Sequence, residues 1–245
     1  MVNKNMLTKY WKPLIIKPTV GLLIKNGVFY MARPRTHHDE KKQELVKMAF
    51  ELFMRDGYEN TSIQDIMNIA KISKGAMYHY FTCKEDILDA VLTYIIDLDE
   101  KRSAPMLNST TLRPIEKLTA MMSFDTPKAP PEVEQAAKYV MQRKDSIFDY
   151  RARELSKKRS IPSLASLIKE GVAAGEFHTQ YPEEMAIFIY SSMQSIGESI
   201  ALHRTDIPTL EKSINAIIEL LTFCLGLKKK EQDFLADFFK KQFKL

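Results

Sequence analysis

A chain of 245 residues with 45% apolar and 27% charged residues has an ordinary globular composition, long enough for one large domain or two modest ones. Its two cysteines, Cys83 and Cys224, exclude a disulfide framework. The net charge of +5 comes wholly from five lysines in residues 1–30, which hold no acid; from Met31 onward bases and acids balance, so an argument for an anionic partner has to rest on local charge. Residues 1–30 read as an extension ahead of the folded domains, upstream or non-native sequence or a disordered segment, with a membrane-tethering segment as the lesser alternative. The apolar stretch 14–30 is interrupted by Lys17, Pro18 and Lys25, which is too broken for a membrane span or a signal peptide. No membrane partner is expected, and the cytoplasm is the expected location.

Period-2 alternation and hairpin turns are nearly absent, whereas helical periodicity runs throughout, which predicts an all-α chain. The first helix is expected over 38–56. Thr36 and Asp39 cap it, Leu45, Met48, Ala49, Leu52 and Phe53 form its apolar face, and Gly57 lies just past its end. A second, short helix opens at Thr61, with Gln64 completing a capping box, and ends near Ala70. A third opens on Ser73 as N-cap, with Ile72 and Met77 spaced as a hydrophobic staple, and ends by Phe81. Thr82 and Glu85 form another capping pattern, and a fourth helix follows to about Ser103. Beyond it, Pro114, Pro131, Pro182 and Pro208 stand near the starts of apolar-periodic runs with acids close behind. Pro162 is expected to break a helix spanning 147–175, and further helices are expected at 182–204, 208–226 and 229–243.

The two short helices joined through Lys71, Ile72 and Ser73 read as a helix-turn-helix over 63–81. The second of them, Lys74-Gly75-Ala76-Met77-Tyr78-His79-Tyr80, is polar, small or amphipathic apart from Met77. Gly75 and Ala76 let its first turn approach another surface closely, as a recognition helix does in the DNA major groove, and a helix N-terminus favours phosphate. Arg33, Arg35, Lys71, Lys74 and Lys84 cluster around this unit, and Arg33 and Arg35 flank Pro34 in a short arm suited to a minor groove. His37, His38, Asp39 and Glu40 read as a solvated helix start, because helix neighbours point apart and do not converge on a metal. Walker loops, Gly-x-Gly-x-x-Gly, His-Glu-x-x-His and Gly-x-Ser-x-Gly motifs are absent, and no cofactor or enzymatic activity is expected.

Gly57-Tyr58, Thr61, Ile63, Ile66, Ala70, the run Ile-Ser-Lys-Gly-Ala-Met-Tyr-His-Tyr-Phe at 72–81 and Lys84-Glu85-Asp86-Ile87-Leu88 together resemble the DNA-binding domain of the TetR family of repressors. The resemblance covers about residues 38–92. It implies a three-helix DNA-binding domain at 31–92 and a helical ligand-binding and dimerisation domain at 93–245. It also implies phosphate contacts by Thr61, Tyr78, Tyr80 and Lys84, and places Ser73, Lys74, Gly75 and His79 on the base-reading or backbone face. Where Lys71 stands the family usually has glycine. Either the turn differs, or the added charge offsets the ~1–2 kcal/mol that a left-handed non-glycine residue costs.

In the second domain, helix 182–204 is apolar or small over most of its surface, including Met193, Ile196 and Ile200. Helix 208–226 carries Leu210, Ile214, Ile217, Leu221 and Cys224 at spacings of 4 and 3. Periodicity alone leaves this seam as either an intramolecular contact or a dimer interface, and the resemblance implies the dimer. It further implies a small apolar or amphipathic ligand, for which Met121, Met122, Phe124, Tyr139, Met141, Phe148, Phe177 and Met193 are candidate lining residues or plain core. The expected function is a homodimeric repressor that leaves a palindromic double-stranded operator when an inducer binds. The alternative is a DNA-binding regulator or adaptor without an inducer.

Overall fold

The computed structural model of the protein describes residues 37–122, 129–142, 146–203 and 207–243. Its regular elements are α1 (His37–Asp56), α2 (Ile63–Ala70), α3 (Lys74–Tyr80), α4 (Lys84–Leu107), α5 (Pro114–Met122), α6 (Pro131–Gln142), α7 (Ile147–Ala173), α8 (Pro182–His203), α9 (Ile207–Leu225) and α10 (Lys229–Phe243). The class is all-α, and no strand occurs among the described residues. Pro114, Pro131 and Pro182 each take the first helical position, where a missing N–H has no partner to lose.

Pro162 does not break its helix: α7 runs from Ile147 to Ala173 with the proline inside it, and α4 carries Pro105 in the same way. Leu164, Leu167 and Ile168 lie just beyond Pro162 and are buried. Burying each contributes about 1.5–3 kcal/mol, which together exceeds the roughly 3 kcal/mol an interior proline costs a helix.

By its internal contacts the chain divides into two units. One comprises the described residues up to Leu98 together with Pro130–Leu155; the other comprises Asp99–Ala129 and the chain from Ser156 onward. The first unit therefore includes all of α6 and the start of α7, which the sequence boundary at residues 92 and 93 did not join to it. Its core takes Leu45, Ala49 and Phe53 from α1, Ile66 from α2, Met77 from α3, Ile87, Leu88 and Val91 from α4, and Tyr139 and Phe148 from α6 and α7. A helix of seven residues such as α3 is not stable alone, so its place depends on Met77, which is fully buried.

The second unit packs α5 and α7–α10 around Ile115, Leu118, Leu164, Ile168, Phe177 and Leu235. Met193, Ile214, Ile217 and Leu221, expected at a subunit interface, are 0, 5, 3 and 0% exposed within this same core. A side chain covered by its own subunit has no surface left for a partner, so this seam is intramolecular. The side chains of Ile196, Ile200 and Leu210 lie outside the described ones.

Candidate nucleic-acid interface

The helix-turn-helix is built from local hydrogen bonds, some displaced by one residue from the expected ones. Ser62, not Thr61, caps α2: the Asp65 N–H donates to Ser62 Oγ at 3.1 Å, and the Ser62 N–H donates to Asp65 Oδ2 at 2.8 Å. The Ser62 hydroxyl, with that N–H, holds the Asp65 carboxyl below the usual carboxylate range. Likewise the Thr82 N–H and hydroxyl donate to Asp86, not Glu85. Ser73 caps α3 as expected, accepting the Ala76 N–H at 3.2 Å. Between the helices Lys71 is left-handed, φ 51° and ψ 45°, and is the one non-glycine residue with positive φ among the described residues. The turn thus keeps the geometry glycine would adopt, and the strain of a side chain there is present.

On α3 and its turn, Lys71, Ser73, Lys74, Gly75, Tyr78 and His79 are exposed, Tyr80 is half-buried, and Met77 and Phe81 face the core. Tyr78, 46% exposed, is not a core residue; the Lys74 ammonium sits 5.9 Å from its ring centre. A Cβ built on Gly75 meets nothing within 4 Å, so the first turn of α3 presents bare backbone to the outside. The other end of α3 is braced by His38 at the start of α1, whose ring centre lies 5.1 Å from that of His79 and 4.7 Å from that of Tyr80. Nothing in the sequence marks His38 for this place, because the contact joins residues some forty positions apart.

The loop Gly57–Thr61 between α1 and α2 carries two further candidates. Thr61 is only 2% exposed, and its hydroxyl donates to the Gly57 carbonyl at 2.8 Å; in this arrangement it shapes the loop and offers no hydroxyl to a phosphate. Lys84, half-buried at the start of α4, donates to the Glu59 carbonyl at 3.2 Å with its ammonium 4.3 Å from the centre of the Tyr58 ring. Burial, with the Glu85 charge adding to it, pushes the Tyr58 phenol up to about 12, so the ring under Lys84 is neutral. The arrangement is a basic and polar surface of Lys71, Ser73, Lys74, Tyr78, His79 and Lys84, suited to hydrogen-bonding phosphates and base edges around one open backbone turn. Arg33 and Arg35 lie outside the described residues. Among the described residues no group of three or more His, Cys, Asp or Glu is placed to hold a metal ion.

The candidate ligand-lining residues do not come together. Met121, Met122, Phe177 and Met193 share the core of the second unit, whereas Tyr139 and Phe148 belong to the core around α1–α4. The Tyr139 hydroxyl there accepts the Tyr58 N–H at 2.8 Å. Phe124 and the Met141 side chain lie outside what is described.

Residues 45–91, which hold this surface, match the family model of bacterial regulatory proteins of the TetR family. The chain is 45% identical over 58 residues to the HTH-type transcriptional regulator YuxN of Bacillus subtilis, covering 24% of this chain but 20% of YuxN. It is 29% identical over 147 residues to the HTH-type transcriptional repressor KstR2 of Mycolicibacterium smegmatis, covering 56% of this chain and 67% of that protein. A TetR-family transcriptional regulator from Cytophaga hutchinsonii shares the fold, with a TM-score of 0.56 at 16% identity over 80% of this chain and 99% of that one. The helix-turn-helix segment thus matches the TetR-family model over residues 45–91, and the fold of most of the chain is shared with a TetR-family structure.

Proposed function

We propose that this protein is a dimeric repressor that grips a palindromic operator with α3 of each subunit and releases it when a small apolar or amphipathic inducer binds in the unit spanning α5 and α8–α10. The observation that carries the DNA-binding part is the open backbone of Gly75 among Lys71, Lys74, Tyr78 and His79. A helix-turn-helix reads base edges with the N-terminal residues of its second helix, while lysines around it fix the register on phosphates. The matched protein KstR2 is named a transcriptional repressor, and a repressing outcome is carried over from it.

Two-fold pairing of subunits matches two half-sites about one helical turn apart. The surface that supports pairing is the outer side of α8 and α9, where Ile187, Phe188 and Phe223 are 44, 55 and 85% exposed. Large apolar side chains at such exposure mark an interaction surface. No helix among the described residues is long and apolar enough to cross a membrane.

The second reading, a regulator or adaptor without an inducer, is favoured by one observation: Met121, Met122, Phe177 and Met193 are all buried in one hydrophobic cluster, as plain core residues are. One experiment separates the two. Duplexes are selected from a random pool by the protein, and fluorescence anisotropy on the selected duplex is repeated with compounds that raise the protein's melting temperature in a thermal-shift screen. Release of the duplex by such a compound supports the inducer. Stabilisation of the protein without release supports the second reading, and failure to select any sequence overturns the operator.

A further inference from the structure

Every backbone polar group of the Gly57–Thr61 loop that meets a partner does so with a specific group, and one partner comes from far away. The Gly57 carbonyl accepts the Thr61 hydroxyl at 2.8 Å, the Tyr58 carbonyl accepts the Thr61 N–H at 3.3 Å, and the Glu59 carbonyl accepts Lys84 Nζ at 3.2 Å. Gly57, with φ 94°, closes α1 by donating to the Phe53 carbonyl at 3.0 Å, and this turns the chain so that the next N–H points out of the helix. That N–H belongs to Tyr58, which is 4% exposed, and an unpaired N–H there would be costly. Its acceptor is the hydroxyl of Tyr139 on α6, 81 residues away and outside the segment that the family model matches.

Tyr139 is itself fixed. Its ring centre lies 4.8 Å from that of Phe148 on α7, and both rings are buried in the core of α1–α4. Helix α6 is tied to α4 by Tyr94, whose hydroxyl donates to Glu132 at 3.2 Å, and α7 by Arg151, which donates to both oxygens of Asp89 at 2.8 Å. The phenol oxygen of Tyr139 is thus a fixed point from which Tyr58 is hung, and Tyr58 in turn sets both the ring and the Glu59 carbonyl that hold Lys84.

We infer that Tyr139 is a positioning residue for DNA binding: by accepting the Tyr58 N–H it sets the Gly57–Thr61 loop that aims the Lys84 ammonium at a phosphate. The segment Pro130–Leu155 is then part of the DNA-binding machinery and not only of the regulatory domain. This rests on the DNA-binding reading above and adds to it a residue that touches no DNA.

The test is the salt dependence of binding to a mixed-sequence duplex by the full-length protein. Each phosphate contact contributes close to one to the slope of log affinity against log salt. Tyr139→Phe keeps the ring and its packing on Phe148 but removes the acceptor. It is expected to lower the slope by about one, weaken binding about tenfold at ~0.1 M salt, and speed hydrogen exchange in the peptide containing Tyr58. Lys84→Ala is expected to lower the slope equally, and the double variant to lower it no further. Phe148→Leu, which loosens the same core but keeps the hydroxyl, should lower the melting temperature and leave the slope unchanged. A Tyr139→Phe slope equal to wild type, or additive losses in the double variant, overturns the inference. Wild-type protein that binds no duplex at any salt overturns the DNA-binding reading itself, and the inference with it.

Discussion

The ammonium of Lys84 lies 4.3 Å from the centre of the Tyr58 ring while it donates to the Glu59 carbonyl at 3.2 Å. A free lysine loses up to ~2 kcal/mol of rotamer freedom when it is pinned to a partner. Here the fold has already restricted the side chain, so meeting a phosphate costs little further ordering. Phosphate contacts carry charge but no sequence information. Lys84→Ala is therefore expected to weaken operator and scrambled duplex alike and to lower the salt slope by about one for both. Anisotropy titrations across a salt series check this; a change in the ratio of the two affinities would make Lys84 a reader of sequence.

Gly75 should behave in the opposite way. Its Cα faces open space, with nothing of the protein within 4 Å of an added Cβ, so a larger side chain disturbs no internal packing. On DNA the same side chain would hold α3 away from the groove floor. Gly75→Leu is expected to leave the melting temperature within a degree or two, since exposed substitutions typically change stability by less than ~0.5 kcal/mol. It should abolish preference for the selected duplex while keeping salt-dependent binding to scrambled DNA. Retained discrimination would mean that a different face of α3 meets the bases.

Lys71 separates stability from binding at a single position. Its left-handed backbone, φ 51°, strains a side chain but suits glycine. Lys71→Gly is expected to raise stability to chemical denaturation by about 1 kcal/mol, less the extra freedom glycine gives the unfolded chain. It should also lower the salt slope by about one if the exposed lysine meets a phosphate. A gain in stability with no change in slope would show that the charge at this turn plays no part in binding.

The sequence made α3 legible because its features are local: the Ser73 cap, the open glycine and the flanking lysines lie within a dozen residues. The capping partners slipped by one residue because Gln64 and Asp65, or Glu85 and Asp86, both offer acceptors near the required position. Only the backbone geometry selects Asp65 and Asp86. Contacts between distant segments left no local trace. Tyr139 sits in a helix with ordinary spacing, and its hydrogen bond to Tyr58 spans 81 residues; His38 against His79 is the same kind of case. The seam of Ile214, Ile217 and Leu221 shows what periodicity lacks: a 4-and-3 apolar repeat says that a face is buried, not which chain buries it.

That distinction yields the last prediction. Phe223 and Ile217 lie six residues apart on α9 yet differ in exposure, 85% against 3%. Ile217 is part of the core of its own unit, so Ile217→Glu would bury an unpaired carboxylate there and should cost the fold itself, with loss of the cooperative thermal transition. Phe223 makes no such contribution to the isolated subunit. If the outer side of α8 and α9 is the two-fold interface, Phe223 is covered only in the dimer, and covering it contributes about 1.5–3 kcal/mol per copy. Both copies change at once, so Phe223→Glu is expected to weaken dimerisation by at least about a hundredfold while circular dichroism and the melting transition remain those of a folded helical protein. Sedimentation velocity over a concentration series reads the outcome. A folded Phe223→Glu variant that stays dimeric at the lowest concentration would place the interface on another face, and the exposed apolar side chains Ile187, Phe188 and Phe223 would then need a different partner.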